Sequence, residues 1–317
     1  MHVVNPADQR LFTDDHPTGA LGQRYLLQGT DGDRENFMLA IAENLGHFAM
    51  VRHRHNFDQF RFALSGDMTM GRNGTLREGH LGYFPEGTSY GPQDDGPGPI
   101  ALVLQLGGAS GSGYMSPGQY RDGRAALNEI GHFDGPVFVR DLPDGTTKKT
   151  FSINAIWEQS IGERLVLPAP RYDTPVFMNP KAYRWIPVAG RPGVFRKHLG
   201  TFSEREVMAE TLLLKPGATL DLGPDEAAYR LYFVLDGAGQ AGGAGGADLG
   251  RHFAAQADPG QGVSLRATEQ LTLLGFRLPL VAADWADPEL PGFEPLPNEA
   301  VPDEAVPGAA EPAESLR

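Results

Sequence analysis

Short runs of aromatic and β-branched residues, separated by Gly and Pro turns, recur along most of the chain. Runs of this length and alternation predict half-buried β-strands rather than helices. In the first half they fall at residues 37–42, 46–52, 59–64, 67–71, 80–84 and 100–106. A helix is expected over 118–130, where Pro117 marks the start and Gly131 the stop. Further strand-like pieces stand at 136–140, 164–167 and 182–186. The pattern points to an all-β barrel or sandwich with few short helices.

The pattern then repeats. Residues 207–214, the Pro216-Gly217 turn and the run Arg-Leu-Tyr-Phe-Val-Leu-Asp-Gly at 230–237 line up with Gln-Phe-Arg-Phe-Ala-Leu-Ser-Gly at 59–66. Stretches 257–265 and 271–278 can close a second barrel. Self-similarity at a fixed spacing is the mark of a duplicated unit. The expected organisation is a first barrel over 1–135, a linking region contributing strands over 136–200, a second barrel over 201–282 and a tail over 283–317. Residues 237–250 hold seven glycines, with no following helix or lysine, and read as a flexible hairpin loop rather than a phosphate cradle.

Composition narrows the function classes. The 317-residue chain has no cysteine, which excludes disulfides, thiolate ligands and a Cys nucleophile. Its net charge of −13 argues against a nucleic-acid partner held by phosphate contacts. Nine acidic residues and one arginine lie between Asp284 and Arg317, among repeated prolines, so this tail is expected to stay flexible. No apolar run reaches the roughly 18 residues of a membrane span. Neither a basic region nor an apolar stretch opens the chain at Met1-His2-Val3-Val4. The expectation is therefore a cytoplasmic protein with no membrane partner, monomer or homodimer, acting on a small molecule.

The candidate chemistry sits in two segments. His53 to Gly66 reads H-R-H-N-F-D-Q-F-R-F-A-L-S-G, and Gly79 to Tyr90 reads G-H-L-G-Y-F-P-E-G-T-S-Y. Two histidines two apart on a strand point the same way and can reach one metal ion. Together the segments resemble the two motifs of the cupin superfamily. These are H-x-H, three residues, a carboxylate, six residues and Gly, and then G, five residues and P-x-G-x-x-H. The resemblance implies two cupin-type double-stranded β-helix (jelly-roll) barrels in one chain. It also implies a divalent transition metal, iron first, with zinc, copper, nickel or manganese as alternatives. Carried over by position, the metal ligands would be His53, His55, Gln59 and Tyr90.

Two of those residues depart from the motif. Gln59 offers a neutral amide oxygen in place of an anion, and Tyr90 ligates well only as a phenolate. Tyr90 could instead stay protonated and donate to substrate or dioxygen. If the strand runs without a bulge, Phe57, Gln59, Arg61 and Ala63 share the histidines' face. Arg61 needs an acidic side chain or an anionic ligand there, and could clamp a substrate carboxylate or enolate. Gln93 is a candidate substrate contact at the barrel mouth. His47 reads as a core histidine, His80 as solvated, and His132 as a helix-end cation. In the second copy Pro224, Glu226 and Arg230 fall at the positions of His53, His55 and Gln59. That barrel is expected to be metal-free, kept for packing or for a small ligand of its own.

The leading expectation is a metal-dependent oxygenase of the dioxygenase type, working on a small organic substrate in the first barrel, with Tyr90 and Arg61 as catalytic groups. Alternatives are a non-redox isomerase, epimerase or lyase, and a non-catalytic binding module.

Overall fold

A computed structural model describes residues 1–13, 19–135, 137–242 and 245–281, with backbone only at 19 and 20. These residues form two compact units, one of Met1–Ser116 with the chain from Leu167 onward, the other of Pro117–Val166. The tail expected over 283–317 lies outside the described residues.

In the larger unit, the first sheet runs in the order Val176–Met178, Leu81–Phe84, Phe57–Ser65, Ile100–Gly107, Phe37–Met50, Gly19–Gln28, with Gln93–Asp95 also paired to Phe37–Met50. All its pairings are antiparallel. The segments expected as two strands, 37–42 and 46–52, form the single strand Phe37–Met50. The polar stretch between them, Glu43-Asn44, reads as a break. It is carried instead by pairing with Gly22 and Leu21 on the neighbouring long strand.

The second sheet runs His2–Val4, Ala254–Ala257, Ala228–Asp236, Leu271–Pro279, Val207–Leu214, Val194–Phe202, Ile186–Pro187. A four-stranded sheet of Thr219–Leu222, Val263–Ala267, Gly239–Ala241 and Ala247–Leu249 completes the barrel. The Gly-rich loop is a hairpin between the last two. Expected strand 257–265 is two strands in different sheets, because the Asp258-Pro-Gly-Gln-Gly turn, with Gly260 at φ +82°, turns the corner between them. The expected barrel bounds shift as well. His2–Val4 pairs with Ala254–Ala257, and Val194–Phe202 with Val207–Leu214, so both belong to the second sheet.

Strand periodicity decides what each sheet buries. From the second barrel, Leu212, Leu214, Val234, Leu265 and Leu273 pack between its own two sheets. The alternate residues Leu231, Phe233, Leu274 and Phe276 meet Phe60, Phe62, Tyr83 and Leu104 of the first sheet. That shared layer is aromatic: Phe60 stands 5.4 Å from Phe202 and 5.3 Å from Phe276, and Tyr83 4.4 Å from Phe202. Such ring pairs add about 0.5–1.5 kcal/mol each beyond the apolar area they bury.

The smaller unit holds helices Pro117–Leu127 and Ser152–Ile161 and a sheet of Gly131–Asp134, Val137–Asp141 and Thr147–Phe151. The first helix ends before its expected limit, which puts His132 on an exposed strand rather than at a helix terminus. No strand forms at 164–167, and 182–186 gives only the end of a 3-10 turn and the start of a two-residue strand. No helix of the described residues is long and apolar enough to cross a membrane.

Candidate active site in the first barrel

Strand Phe57–Ser65 separates two environments. Phe60 and Phe62 enter the layer shared with the second barrel. Gln59, Arg61 and Ala63 face the other way, with Ala63 packed among Met68, Leu76, Phe84 and Tyr90. The two histidines precede this strand rather than lying on it. His53 is held by an isolated bridge to Tyr90, with its N donating to Tyr90 O at 3.1 Å and accepting in return through O at 2.9 Å. Gly87 N donates to His55 O at 2.8 Å. Gly87 sits at φ +75°, and an added Cβ there would collide with the Pro168 carbonyl. The second motif thus folds back onto the first through main-chain bonds that only its glycine permits.

The side chains of His53, His55 and Tyr90 converge. His53 and His55 meet edge to face with ring centroids 4.9 Å apart, and His53 lies 4.5 Å from the Tyr90 ring. His55 Nε2 is 2.9 Å from the Tyr90 hydroxyl, and its ring stacks on Phe57 at 4.3 Å. Gln59 Nε2 donates to the same hydroxyl at 3.2 Å, and Arg61 donates to it at 3.1 Å. A hydroxyl oxygen has two lone pairs and one proton. With Gln59 and Arg61 donating, its own proton is directed to His55 Nε2. Burial, then the nearby His53 and Arg61, hold His55 well below the usual histidine range, so the ring is neutral, and the Tyr90 proton directed at it makes Nε2 the lone-pair acceptor. His53 Nδ1 lies 2.8 Å from the Val51 carbonyl, which can only accept, so Nδ1 carries the proton and Nε2 the lone pair.

Two relays fix this arrangement. Asp95 is 6% exposed and accepts from Thr69 N and Oγ1 at 2.8 Å each. Its other oxygen accepts from Gln93 Nε2 at 2.7 Å, which turns the Gln93 oxygen toward an Arg61 donor at 2.9 Å. Because a carboxylate only accepts, Asp95 sets the direction of the whole chain. On the other side, Tyr114 donates to Gln105 at 2.8 Å, and Gln105 donates to the Gln59 oxygen at 2.7 Å. Arg61 also lies over the Phe84 ring at 5.1 Å.

These contacts sort the expected site residues. His53, His55 and Tyr90 come together. Gln59 is present, but its oxygen accepts from Gln105 and its nitrogen faces Tyr90, so it acts here as a donor to the phenol. Arg61 faces into the site, as the shared face implied, where it donates to Tyr90 and to Gln93, and Gln93 positions it. His47 is not a core residue; its side chain is 68% exposed and pairs with Asp94 at 2.5 Å. The sequence reading missed Asp95, Gln105 and Tyr114. Asp95 could have been found two residues beyond Gln93 on one strand face, and Gln105 from its place opposite Gln59. Tyr114 carries no local signal.

A second polar group lies across the strand, where Asp58 accepts from Glu86 N at 2.9 Å. Glu86 in turn accepts from Ser110 N at 2.8 Å and from Arg171 at 2.7 Å. Burial and the neighbouring Glu86 push Asp58 up to about 7. This group ties the 86–88 turn to the chain at 171–172, where Thr88 also donates to Tyr172 O at 2.7 Å.

Among the described residues no three His, Cys, Asp or Glu side chains converge as a metal set. The donors that do converge are two imidazoles and one phenol oxygen. Burial raises the Tyr90 hydroxyl, while Arg61 and Gln59 oppose that shift by hydrogen bonding its oxygen. In the phenolate form the set is two neutral nitrogens and one anionic oxygen, which fits a borderline cation such as iron, zinc or copper.

No family model and no curated protein matches the sequence. Solved structures do resemble the fold. A candidate dioxygenase from Nostoc punctiforme aligns over 94% of this chain and 87% of its own, with TM-score 0.53 and 10% identity. A candidate glyoxylate-induced protein from Pseudomonas aeruginosa aligns over 86% of each chain, with TM-score 0.52 and 10% identity. The oxalate decarboxylase of Lactobacillus farciminis covers 88% of this chain and 87% of its own, with TM-score 0.50 and 10% identity. Likeness at this identity speaks for the fold alone, and that fold is two cupin-type β-barrels in one polypeptide.

Proposed function

We propose that the first barrel houses a metal-dependent oxygenase of the dioxygenase type, acting on a small organic acid. The observation that carries this reading is the convergence of His53, His55 and the Tyr90 hydroxyl, with an Arg61 donor on the phenol oxygen. His53, His55 and Tyr90 would hold the ion, iron first. When bound, it would act as a Lewis acid and, as iron, open chemistry with dioxygen.

Burial favours the neutral phenol, and the polar residues around Tyr90 oppose that preference. Arg61 lies 3.1 Å from the phenol oxygen and favours its negative charge, and the Asp95–Gln93 relay keeps the guanidinium there. His55 Nε2 is placed to receive the phenol proton. Phe84 and Phe57 cover the polar group with apolar surface, which strengthens each of these electrostatic contacts. A divalent ion, one guanidinium and a single phenolate leave the site net positive, which suits an anionic substrate. The names of two fold neighbours, an oxalate decarboxylase and a glyoxylate-induced protein, lean toward the same substrate class.

The test is metal content of the purified full-length protein, followed by oxygen uptake with a panel of small organic acids. Stoichiometric iron, lost in the His53→Ala/His55→Ala variant, together with acid-dependent oxygen consumption supports the reading. A protein that binds none of iron, zinc, copper, nickel or manganese removes it.

A further inference from the structure

The second barrel repeats the strand register of the first but changes the residues on its inner layer. Arg230 pairs with Arg277 where Gln59 pairs with Gln105. Glu210, Gly275 and Tyr232 form one cross-strand row where the first barrel has Ala40, Val103 and Arg61. Below this row the interior is aliphatic, with Leu212, Val234 and Leu273 all buried. The polar residues therefore gather at one end of the barrel.

Three observations set this end apart from ordinary packing. Glu210 is 9% exposed, and no hydrogen bond among the described residues reaches its carboxylate. Its oxygens still touch solvent at this end of the barrel, so a ligand hydroxyl there would supply the donor that water otherwise gives. Gly275 has no side chain between Glu210 and Tyr232. A Cβ there would touch Glu210 Cγ at 3.4 Å and Tyr232 Cδ1 at 3.5 Å, so the two side chains flank the glycine with room for about one methyl, where the first barrel carries valine. Arg277 and Arg230 both point at one carboxylate, that of Asp225 in the loop before Ala228–Asp236. Arg277 Nε donates at 2.8 Å and its NH2 at 3.4 Å, and Arg230 NH2 donates at 3.3 Å. Asp225 also accepts from Ala227 N at 3.2 Å. Two guanidinium groups on one carboxylate make a carboxylate receptor. Here the chain's own side chain fills it.

We propose that the second barrel binds a small hydroxycarboxylate, its carboxylate on Arg277 and Arg230 in place of Asp225 and its hydroxyl donating to Glu210 across Gly275. A hydroxyl suits this end better than an ammonium group, because the guanidinium groups of Arg230 and Arg277 already stand there. The binding is independent of the first barrel's chemistry.

The test uses full-length protein carrying His53→Ala and His55→Ala, so that the first barrel is silent, titrated calorimetrically with glycolate and with acetate. Saturable glycolate binding at least tenfold tighter than acetate is expected. Glu210→Ala, which copies the first barrel's residue, should erase that preference. Arg277→Ala should weaken glycolate tenfold or more, and Gly275→Val should abolish its binding. Asp225→Asn keeps the arginines and removes their internal competitor, so glycolate should bind several-fold tighter. The proposal is overturned if the parent shows no saturable glycolate binding, or if Asp225→Asn lowers thermal stability and leaves affinity unchanged.

Discussion

Tyr90 is the residue on which the site turns. Its hydroxyl receives Gln59 and Arg61 and gives its proton to His55, so Tyr90→Phe strands three polar groups at once. Leaving buried donors unsatisfied costs about 1–3 kcal/mol, and that loss should appear in urea unfolding together with loss of bound metal. Asp95 touches none of the candidate ligands, yet it directs Gln93 and through it Arg61. Asp95→Asn should lower metal affinity roughly 10–100-fold, the usual effect of removing an outer partner, without unfolding the protein. Metal affinity by competition with a chelating dye checks this, and an unchanged value would show that the relay is ornamental. The sequence made His53, His55 and Tyr90 legible through the spacing of the two motif segments, 53–66 and 79–90. It could not show that Gln59 presents its nitrogen, since amide direction depends on Gln105 and Tyr114, which come from elsewhere in the chain.

At the scale of elements, strand Phe57–Ser65 works because its two faces differ: aromatic toward the second barrel, polar toward the site. Alternation made that readable. Its start was not readable, because the backbone bridge to Tyr90 releases the histidines from the strand. The turn at Gly87 is equally committed. Gly87→Ala places a Cβ against the Pro168 carbonyl at a positive φ and should cost about 1–3 kcal/mol in thermal or chemical unfolding. A neutral result would mean that the chain at 168 yields easily. Helix Ser152–Ile161 escaped the sequence reading because its N-cap, Phe151, makes no side-chain cap bond; only the stop at Gly162, φ +80°, was legible.

For the whole molecule, the decisive contact is the layer between the two large sheets. Phe60→Ala removes a ring 1% exposed from its centre and should cost about 3–5 kcal/mol. The cost should appear as one cooperative transition at lower denaturant if the barrels unfold together. Asp58 adds a pH term. Burial and Glu86 raise its folded-state pKa to about 7, so the folded protein binds a proton that the unfolded chain releases at lower pH. Its contribution is complete below the ordinary carboxylate range and is lost as pH rises through about 7. Asp58→Asn should therefore gain stability relative to the parent between pH 5 and 8, and parallel stability curves would sink this account. The duplication was visible in the repeated 59–66 and 230–237 segments. The strand exchange at His2–Val4 was not, because three residues carry too little pattern to announce a distant partner.

That exchange has a practical consequence. Residues 2–4 lie in the first half of the polypeptide yet hydrogen-bond along Ala254–Ala257 in the second. If the gene is divided near residue 166, each product keeps one apolar sheet face, and the downstream product also lacks its border strand. Expressed alone, that product should self-associate through the bare edge at 254–257; expressed with its counterpart, it should be rescued by fragment complementation.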